Sequence, residues 1–249
     1  AAFVEPKLIH GCGKVAHAER LDRGGRSDAQ VGELLAHAVD VARAGSCYKV
    51  LVAAQDAEVA ACEAAGFKDK GLQMIHCALS HPARPETTLS TLRMFPLPMG
   101  EDSPYILRRI AEGDRVGALK LLAQLTEVGE VADDAFNSFV ALARGSDSLL
   151  TCVLEDQASS PPQVIGIATL LLVYAGEGSR SPSRAHIEDV VIDASLRGHG
   201  MGARMIGSLV RIGMSVGAPS VVLECSRHNE GFYIKQGFRR DRTSMALYL

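Results

Sequence analysis

The sequence has no uninterrupted apolar run near the roughly 20 residues needed to span a bilayer, and it has no CxxC pair. Residues 1–6 also lack the layout of a signal peptide. These absences argue against a membrane-spanning or secreted protein. The six scattered cysteines predict reduced, partly buried thiols rather than disulfides or zinc ligands. We therefore expect a soluble, cytoplasmic protein.

A strong excess of one charge is absent as well. The net charge is −3, and 22% of the residues are charged against 47% hydrophobic. Binding to nucleic acid or to an anionic membrane relies on many Lys and Arg side chains, so neither partner is expected. The 249 residues allow one large domain or two small ones with an ordinary globular core.

The most informative stretch is a short apolar run followed by glycines and an amphipathic pattern. Residues 190–192 are apolar and bounded by charge, which is typical of a buried strand. Gly198, Gly200 and Gly202 follow, and apolar residues then recur at helical spacing. The first amides of a helix have no partner within it, and glycines leave room for a phosphate to approach them. Glycine spacing alone leaves two readings open, a plain tight turn and an anion site.

A resemblance favours the anion site. Residues 197–202, Arg-Gly-His-Gly-Met-Gly, resemble the Arg/Gln-x-x-Gly-x-Gly/Ala loop of the GNAT superfamily of acetyl-CoA-dependent N-acetyltransferases. Within it, residues 104–249 look like the glucosamine 6-phosphate N-acetyltransferase family. The motifs that carry this likeness lie at 105–109, 112–114, 125–129, 186–189, 229, 232–233 and 237–238.

The resemblance implies an α/β (α+β) GNAT fold, with a mixed sheet flanked by helices. It implies transfer of acetyl from acetyl-CoA to the amine of glucosamine 6-phosphate by direct attack, in the route to UDP-N-acetylglucosamine. The cofactor-binding residues it implies are Val190, Val191, Ile192, Arg197, Gly198, His199, Gly200, Met201, Gly202, Ala203, Asn229, Phe232 and Tyr233. The substrate-binding residues are Thr126, Glu188, Asp189, Glu224, Tyr48 and Lys49. No metal is expected, because the loop histidines have no third ligand at usable spacing.

The chemistry needs a donor for the leaving thiolate and an acceptor for the ammonium proton. Tyr233 is the expected donor, since a phenol can give a hydrogen bond or a proton to sulfur. Glu224 and Glu188 are the expected acceptors, with a water chain or a backbone carbonyl as alternatives. Cys225 has the side chain of a nucleophile, but the neighbouring sequence offers no base that would activate its thiol.

Two other functions stay open at this point. One is a GNAT enzyme for another amine, such as a protein N-terminus or a polyamine. The other is a non-catalytic CoA-binding scaffold, which suits the N-terminal half better than the C-terminal domain.

The N-terminal segment looks like a partial copy of the C-terminal one. Residues 14–79 predict strand, helix, strand, helix and strand, the order that recurs from Ile187 onward. Ala64-Ala65-Gly66-Phe67 corresponds to Lys235-Gln236-Gly237-Phe238. Chance similarity between two βαβ patterns is the alternative. We predict a degenerate half-GNAT unit at 1–80, a linker at 81–103 and a complete catalytic domain at 104–249.

The first copy lacks the glycine loop but has a Tyr-Lys pair that the second copy lacks. About where the second copy has Gly200 and Gly202, it has Arg26 and Asp28. A carboxylate there would cap the helix and repel a diphosphate. The family's sugar-phosphate site takes a Tyr-Lys pair from a neighbouring subunit, and only the first copy has that pair, as Tyr48-Lys49. We expect the chain to be an intrachain pseudo-dimer, and leave open a homodimer and a solvated edge role for the pair.

Overall fold

The computed structural model describes residues 2–18, 27–77, 88–92, 97–99, 103–175, 179 and 181–249. The strands and α-helices in chain order are β1 (Ala2–Pro6), β2 (Lys14–Ala18), α1 (Asp28–Ala44), β3 (Lys49–Ala54), α2 (Asp56–Ala64), β4 (Lys68–Cys77), β5 (Leu97–Pro98), β6 (Tyr105–Arg109), α3 (Arg115–Leu122), α4 (Asp133–Gly145), β7 (Leu149–Asp156), β8 (Gln163–Tyr174), β9 (Pro182–Ile192), α5 (Met201–Ser215), β10 (Ser220–Cys225), α6 (Glu230–Lys235) and β11 (Arg239–Tyr248). The sequence predicts most of these elements but misses β1 and β5.

The chain divides into two compact units. The first, which we call the mixed-sheet unit, contains residues 1–7, 13–76 and 222–249. The second, the meander unit, contains residues 8–12 and 77–221. The predicted linker at 81–103 lies largely outside the described residues, as do Arg26 and the glycines before it. The boundaries at 1–80, 81–103 and 104–249 stay a prediction.

The mixed-sheet unit has the strand order β1-β2-β3-β11-β4-β10, with β10 contributing from Val222 onward. β2 and β3 run parallel, whereas β11 is antiparallel to both β3 and β4. Helix α1 buries Val31, Leu35 and Val39 at helical spacing in one cluster with residues of β3 and β11. The predicted mixed sheet flanked by helices is therefore confirmed.

The two predicted copies end their second helix in the same way. Gly66 and Gly237 both adopt left-handed φ values, 87° and 84°, which glycine reaches without steric cost. The next amide, of Phe67 or Phe238, donates to the carbonyl five residues earlier at 3.0 or 3.1 Å. Both phenylalanines are buried. This shared helix end supports the predicted duplication.

The pairing of β4 with β11 is symmetric about one residue pair, Leu72 and Thr243. The other pairs recur with the two copies exchanged: Gly71–Ser244 mirrors Gln73–Arg242, and Lys68–Ala246 mirrors Ile75–Arg239. Two subunits related by a two-fold axis pair in this way, because each contact is made twice with the partners reversed. Here both strands belong to one chain.

The meander unit is an antiparallel succession of strands from β5 to β9. Helices α3 and α5 pack against β8 and β9, and α4 packs against β7. Its core includes Phe136, Leu150 and Ile167. In the part of the chain that the structure describes, no helix is both long enough and apolar enough to cross a membrane.

Candidate active site

Strand β9 carries a β-bulge at the predicted acetyl-binding segment. Val191 pairs with Ile167 and Glu188 with Thr169, so Asp189 and Val190 together face a single residue of β8. Asp189 has a left-handed φ of 52°, which is uncommon for a residue other than glycine. A bulge bends its strand and re-aims the groups beside it. Glu188 and Asp189 therefore lie within the strand rather than at its end.

The turn after β9 is held by side chains. The Asp193 carboxylate accepts a hydrogen bond from the Ser195 amide at 3.0 Å and from its hydroxyl at 2.6 Å. These bonds, the Ser195 hydroxyl first, lower the pKa of Asp193. Gln124 accepts from the Ala194 amide at 3.0 Å and donates to Asp193 at 3.3 Å. Gln124 thus ties the end of α3 to the start of the glycine loop.

The glycine loop leads directly into α5. Gly198 and Gly200 have φ values of 86° and 76°, and a Cβ built on either would meet nothing within 4 Å. Gly200 is the N-cap of α5 and offers no side-chain cap, and the first turn has no acidic residue. The amides of residues 201–203 precede the first intrahelical bond, which runs from Arg204 to the Gly200 carbonyl. This open, uncapped helix start fits a diphosphate.

The polar residues of the loop are exposed. Arg197 lies at the surface beside the helix start. His199 is also exposed, and its Nδ1 lies 3.3 Å from the Leu196 carbonyl. Arg197 can therefore add a formal positive charge to the partial charge of the helix terminus.

The end of β10 and helix α6 supply the predicted donor and one predicted acceptor. Tyr233 is half-buried, and its ring makes edge contacts with Phe232 and Phe238 at centroid distances of 5.0 and 6.0 Å. Glu224 is half-buried near the end of β10. Asn229 is exposed immediately before α6. These contacts pack the Tyr233 ring against Phe232 and Phe238.

Cys225 is a protonated thiol at neutral pH. Burial, followed by the charges of Glu230 and Glu224, raises the pKa of Cys225 to about 11. A nucleophilic cysteine needs the opposite shift, because the thiolate is the reactive form. The environment of Cys225 favours direct attack over an acetyl-enzyme.

Strand β4 fits closely against the end of β10. A Cβ built on Gly71 would lie 2.2 Å from the Cys225 carbonyl oxygen, so only glycine fits there. One residue beyond Cys225 and Ser226, Arg227 forms an ion pair with Asp69 at 2.5 Å. The N-terminal segment thereby fixes the strand end that carries Glu224.

The remaining predicted substrate residues occupy two different settings. Glu188 lies 3.7 Å from the buried His186 through Oε1 and Nδ1. Thr126 is half-buried just after α3, where its amide donates to the Leu122 carbonyl at 3.1 Å. Lys49 begins β3, with its ammonium 5.7 Å from the Tyr48 ring centroid. Lys49 and Tyr48 are in the mixed-sheet unit, whereas Glu188 and Thr126 are in the meander unit.

The other predicted site residues are also divided between the two units. The mixed-sheet unit also holds Glu224, Asn229, Phe232 and Tyr233, and the meander unit holds Asp189 and residues 190–203. The sequence interpretation missed Gln124 and Asp193, which position the loop. Asp193 itself is a usable signal in the sequence, because an Asp side chain often accepts a hydrogen bond from the backbone amide two residues on.

Comparison with known proteins fits this geometry. Residues 119–238 match the Acetyltransferase (GNAT) family. The chain is 31% identical over 146 residues to the glucosamine 6-phosphate N-acetyltransferase of Arabidopsis thaliana. The aligned region covers 58% of this chain and 96% of that protein. The chain belongs to the GNAT family of acetyltransferases.

Solved GNAT structures show the same fold. The crystal structure of the Arabidopsis thaliana glucosamine-6-phosphate N-acetyltransferase is 28% identical, with a TM-score of 0.50, over 55% of this chain and 92% of that one. A GCN5-related N-acetyltransferase from Sphaerobacter thermophilus is 11% identical, with a TM-score of 0.53, over 100% of this chain and 76% of that one. The second likeness shows the fold alone. The predicted family and fold are confirmed.

Proposed function

We propose that this GNAT chain transfers acetyl from acetyl-CoA to the amine of glucosamine 6-phosphate. The acceptor is supported by the relatives of that name, which the chain covers almost completely at 31% identity or more. The donor is supported by the glycine loop, where Gly198 and Gly200 leave open space at the uncapped start of α5.

The residues that would hold acetyl-CoA are those of the loop and the β9 bulge. The amides of residues 201–203 and the Arg197 guanidinium bind the diphosphate. Backbone groups of residues 190–192 bind the pantetheine arm, with Asn229 and Phe232 as further contacts. When bound, acetyl-CoA supplies a thioester whose C–S bond breaks as the C–N bond to the amine forms.

Protons are handled by three side chains in this proposal. Glu224 or Glu188 accepts the proton that the ammonium must lose before its nitrogen can attack. The Tyr233 hydroxyl donates to the departing sulfur, which leaves as the thiol of CoA. Cys225 stays protonated, consistent with its raised pKa, and forms no acetyl-enzyme.

We also propose that the N-terminal half acts as a built-in second subunit. The symmetric pairing of β4 with β11 supports this, because it is the contact expected between two copies of one unit. In this proposal Tyr48 and Lys49 bind the acceptor phosphate.

The test is thiol release from acetyl-CoA, measured with glucosamine 6-phosphate, glucosamine, spermidine and a peptide with a free N-terminus. We expect kcat/KM for glucosamine 6-phosphate to exceed the others by about 100-fold or more, since a site built for hydrogen bonds rejects analogues that lack the partner. Preference for spermidine or the peptide would assign a different acceptor. No release with any amine, alongside tight CoA binding, would indicate a non-catalytic scaffold.

A further inference from the structure

Four strand ends lie side by side at one edge of the mixed-sheet unit. The start of β3 meets the end of β11, where Lys49 pairs with Tyr248. The end of β11 also meets the start of β4, where Ala246 pairs with Lys68. The contact of Gly71 with Cys225 places the end of β10 next in the row. Side chains from three strands can therefore meet beside the end of β10 that carries Glu224.

Two lysines converge on one tyrosine ring at this edge. The Lys70 ammonium lies 4.9 Å from the Tyr248 centroid, and the Lys49 ammonium lies 5.9 Å from it. Tyr248 is 56% exposed. An aromatic face attracts cations, so the ring holds both ammonium groups at the surface.

These two lysines lack the counter-charges that their neighbours have. Across the described residues, no carboxylate forms an ion pair with Lys49 or Lys70, whereas Arg227 pairs with Asp69 at 2.5 Å. Asp69 precedes Lys70, but its other oxygen accepts from the Gly71 amide at 2.8 Å. This edge therefore carries two lysines that form no ion pair among the described residues, which would favour binding of a dianion.

A β-bulge directs Lys70 toward this edge. The pairing of β4 with β11 steps from Gly71 to Asp69 and omits Lys70. The matching bulge in the other copy omits Asp241, so the equivalent position there is acidic. β4 adjoins β10, whereas β3 is three strands away, or about 14 Å at the usual strand spacing. Lys70 is accordingly closer than Lys49 to the strand that bears Glu224.

We propose that Lys70 is a specificity-determining residue that binds the acceptor's phosphate monoester together with Lys49, on the Tyr248 ring. The inference rests on the proposed function and deepens it, because Lys70 has no place in the motifs that suggested the acceptor. Tyr248 acts as a positioning residue for both ammonium groups.

The test compares Lys70→Gln with Lys68→Gln, an exposed lysine two residues away on the same strand. For the full chain, we expect Lys70→Gln to raise KM for glucosamine 6-phosphate by about tenfold or more, because a charge-assisted contact is lost. Its kcat should stay within about twofold. KM for unphosphorylated glucosamine should not change, Lys70→Arg should restore most of the affinity, and Lys68→Gln should match the wild type.

Calorimetric titration with glucosamine 6-phosphate and with inorganic phosphate provides a readout independent of turnover. Weaker binding of both by Lys70→Gln but not by Lys68→Gln supports the proposal, even if the wild type proves inactive and the proposed function fails. Equal binding and equal KM in the two variants would overturn the role of Lys70 while leaving the function intact. A wild type that binds neither compound would overturn both.

Discussion

The two predicted copies in this chain share one order of helices and strands and differ at the starts of their corresponding helices. In the first copy, Ser27 caps α1 and Gln30 completes a capping box, with Asp28 in the first turn. In the second copy, Gly200 begins α5 with no side-chain cap. The first helix start satisfies its own amides, whereas the second leaves them for a ligand.

At three other corresponding places, the two predicted copies have side chains of different charge or chemistry. The first copy has Tyr48-Lys49 where the second has Pro219-Ser220, and Lys70 where the second has Asp241. Cys62 stands where the second copy has Tyr233. The uncapped helix start thus belongs to the second predicted copy, and Lys49 and Lys70 belong to the first. Four changes would test this division, beginning with the largest expected effect.

Deleting residues 1–80 should abolish the soluble monomer. β11 would lose both of its neighbours, β3 and β4, and Met245 and Ala246, now buried, would be uncovered. Soluble yield and light scattering after size exclusion measure the outcome. A monomeric fragment that melts cooperatively would show that the C-terminal copy does not need the first.

Gly200→Asp gives the second copy the acidic helix start of the first. The carboxylate would cap the free amides and repel a diphosphate, and φ of 76° adds strain. We expect CoA affinity to fall by about 100-fold or more, or about 2.8 kcal/mol. Calorimetry measures it, with Gly207→Ala inside α5 as the control, since a Cβ there meets only the Arg211 side chain at 3.7 Å. Unchanged affinity would contradict an anion site at this loop.

Tyr233→Phe removes the hydroxyl and keeps the ring contacts with Phe232 and Phe238. We expect kcat to fall by about 100-fold with KM for acetyl-CoA little changed, as for the loss of a general acid. Steady-state thiol release measures it, with Tyr174→Phe at the end of β8 as the control. A similar kcat in both variants would remove Tyr233 from the proposed chemistry.

Cys62→Ala should change how stability depends on alkaline pH. Burial, followed by the charges of Glu58 and Glu63, raises the pKa of Cys62 from 9.0 to about 11. The folded chain therefore holds this proton more tightly than the unfolded chain does. The contribution of the Cys62 thiol to the free energy of unfolding is fully present below pH 9 and is lost as the pH rises through 11. The decline amounts to at most about 1.4 kcal/mol per pH unit.

Urea unfolding across that pH range should show a flatter decline for Cys62→Ala than for the wild type. Cys77→Ala, which alters an exposed thiol, is the control. If the free energy of unfolding fell with pH at the same rate in all three proteins, the pKa of Cys62 would be the same in the folded and the unfolded chain.

Local patterns predicted the secondary structure and the glycine loop because they depend on neighbours in sequence. Helical spacing identified α1, and the glycine spacing identified the start of α5. The short β5 has too few residues for a pattern, and β1 is stabilised by pairing with β2 rather than by its own sequence. Both were missed for these reasons.

The arrangement of β4 and β11 depends on pairing between distant strands, which spacing does not reveal. The contacts of Lys70 follow from the same pairing, because they are set by Tyr248 on another strand. Gln124 likewise acts through Asp193, far along the chain. The site roles of Tyr233, Glu224 and Glu188 stay predictions.

The symmetric register around Leu72 and Thr243 also bears on how the sequence could have diverged. In an assembly of two identical chains, any substitution is introduced into both halves at once, so a change that helps one half and harms the other is not accessible. Joining the halves in one polypeptide removes that coupling. One bulge can then carry a lysine and the other an aspartate, and each half can lose a binding feature that the other half keeps.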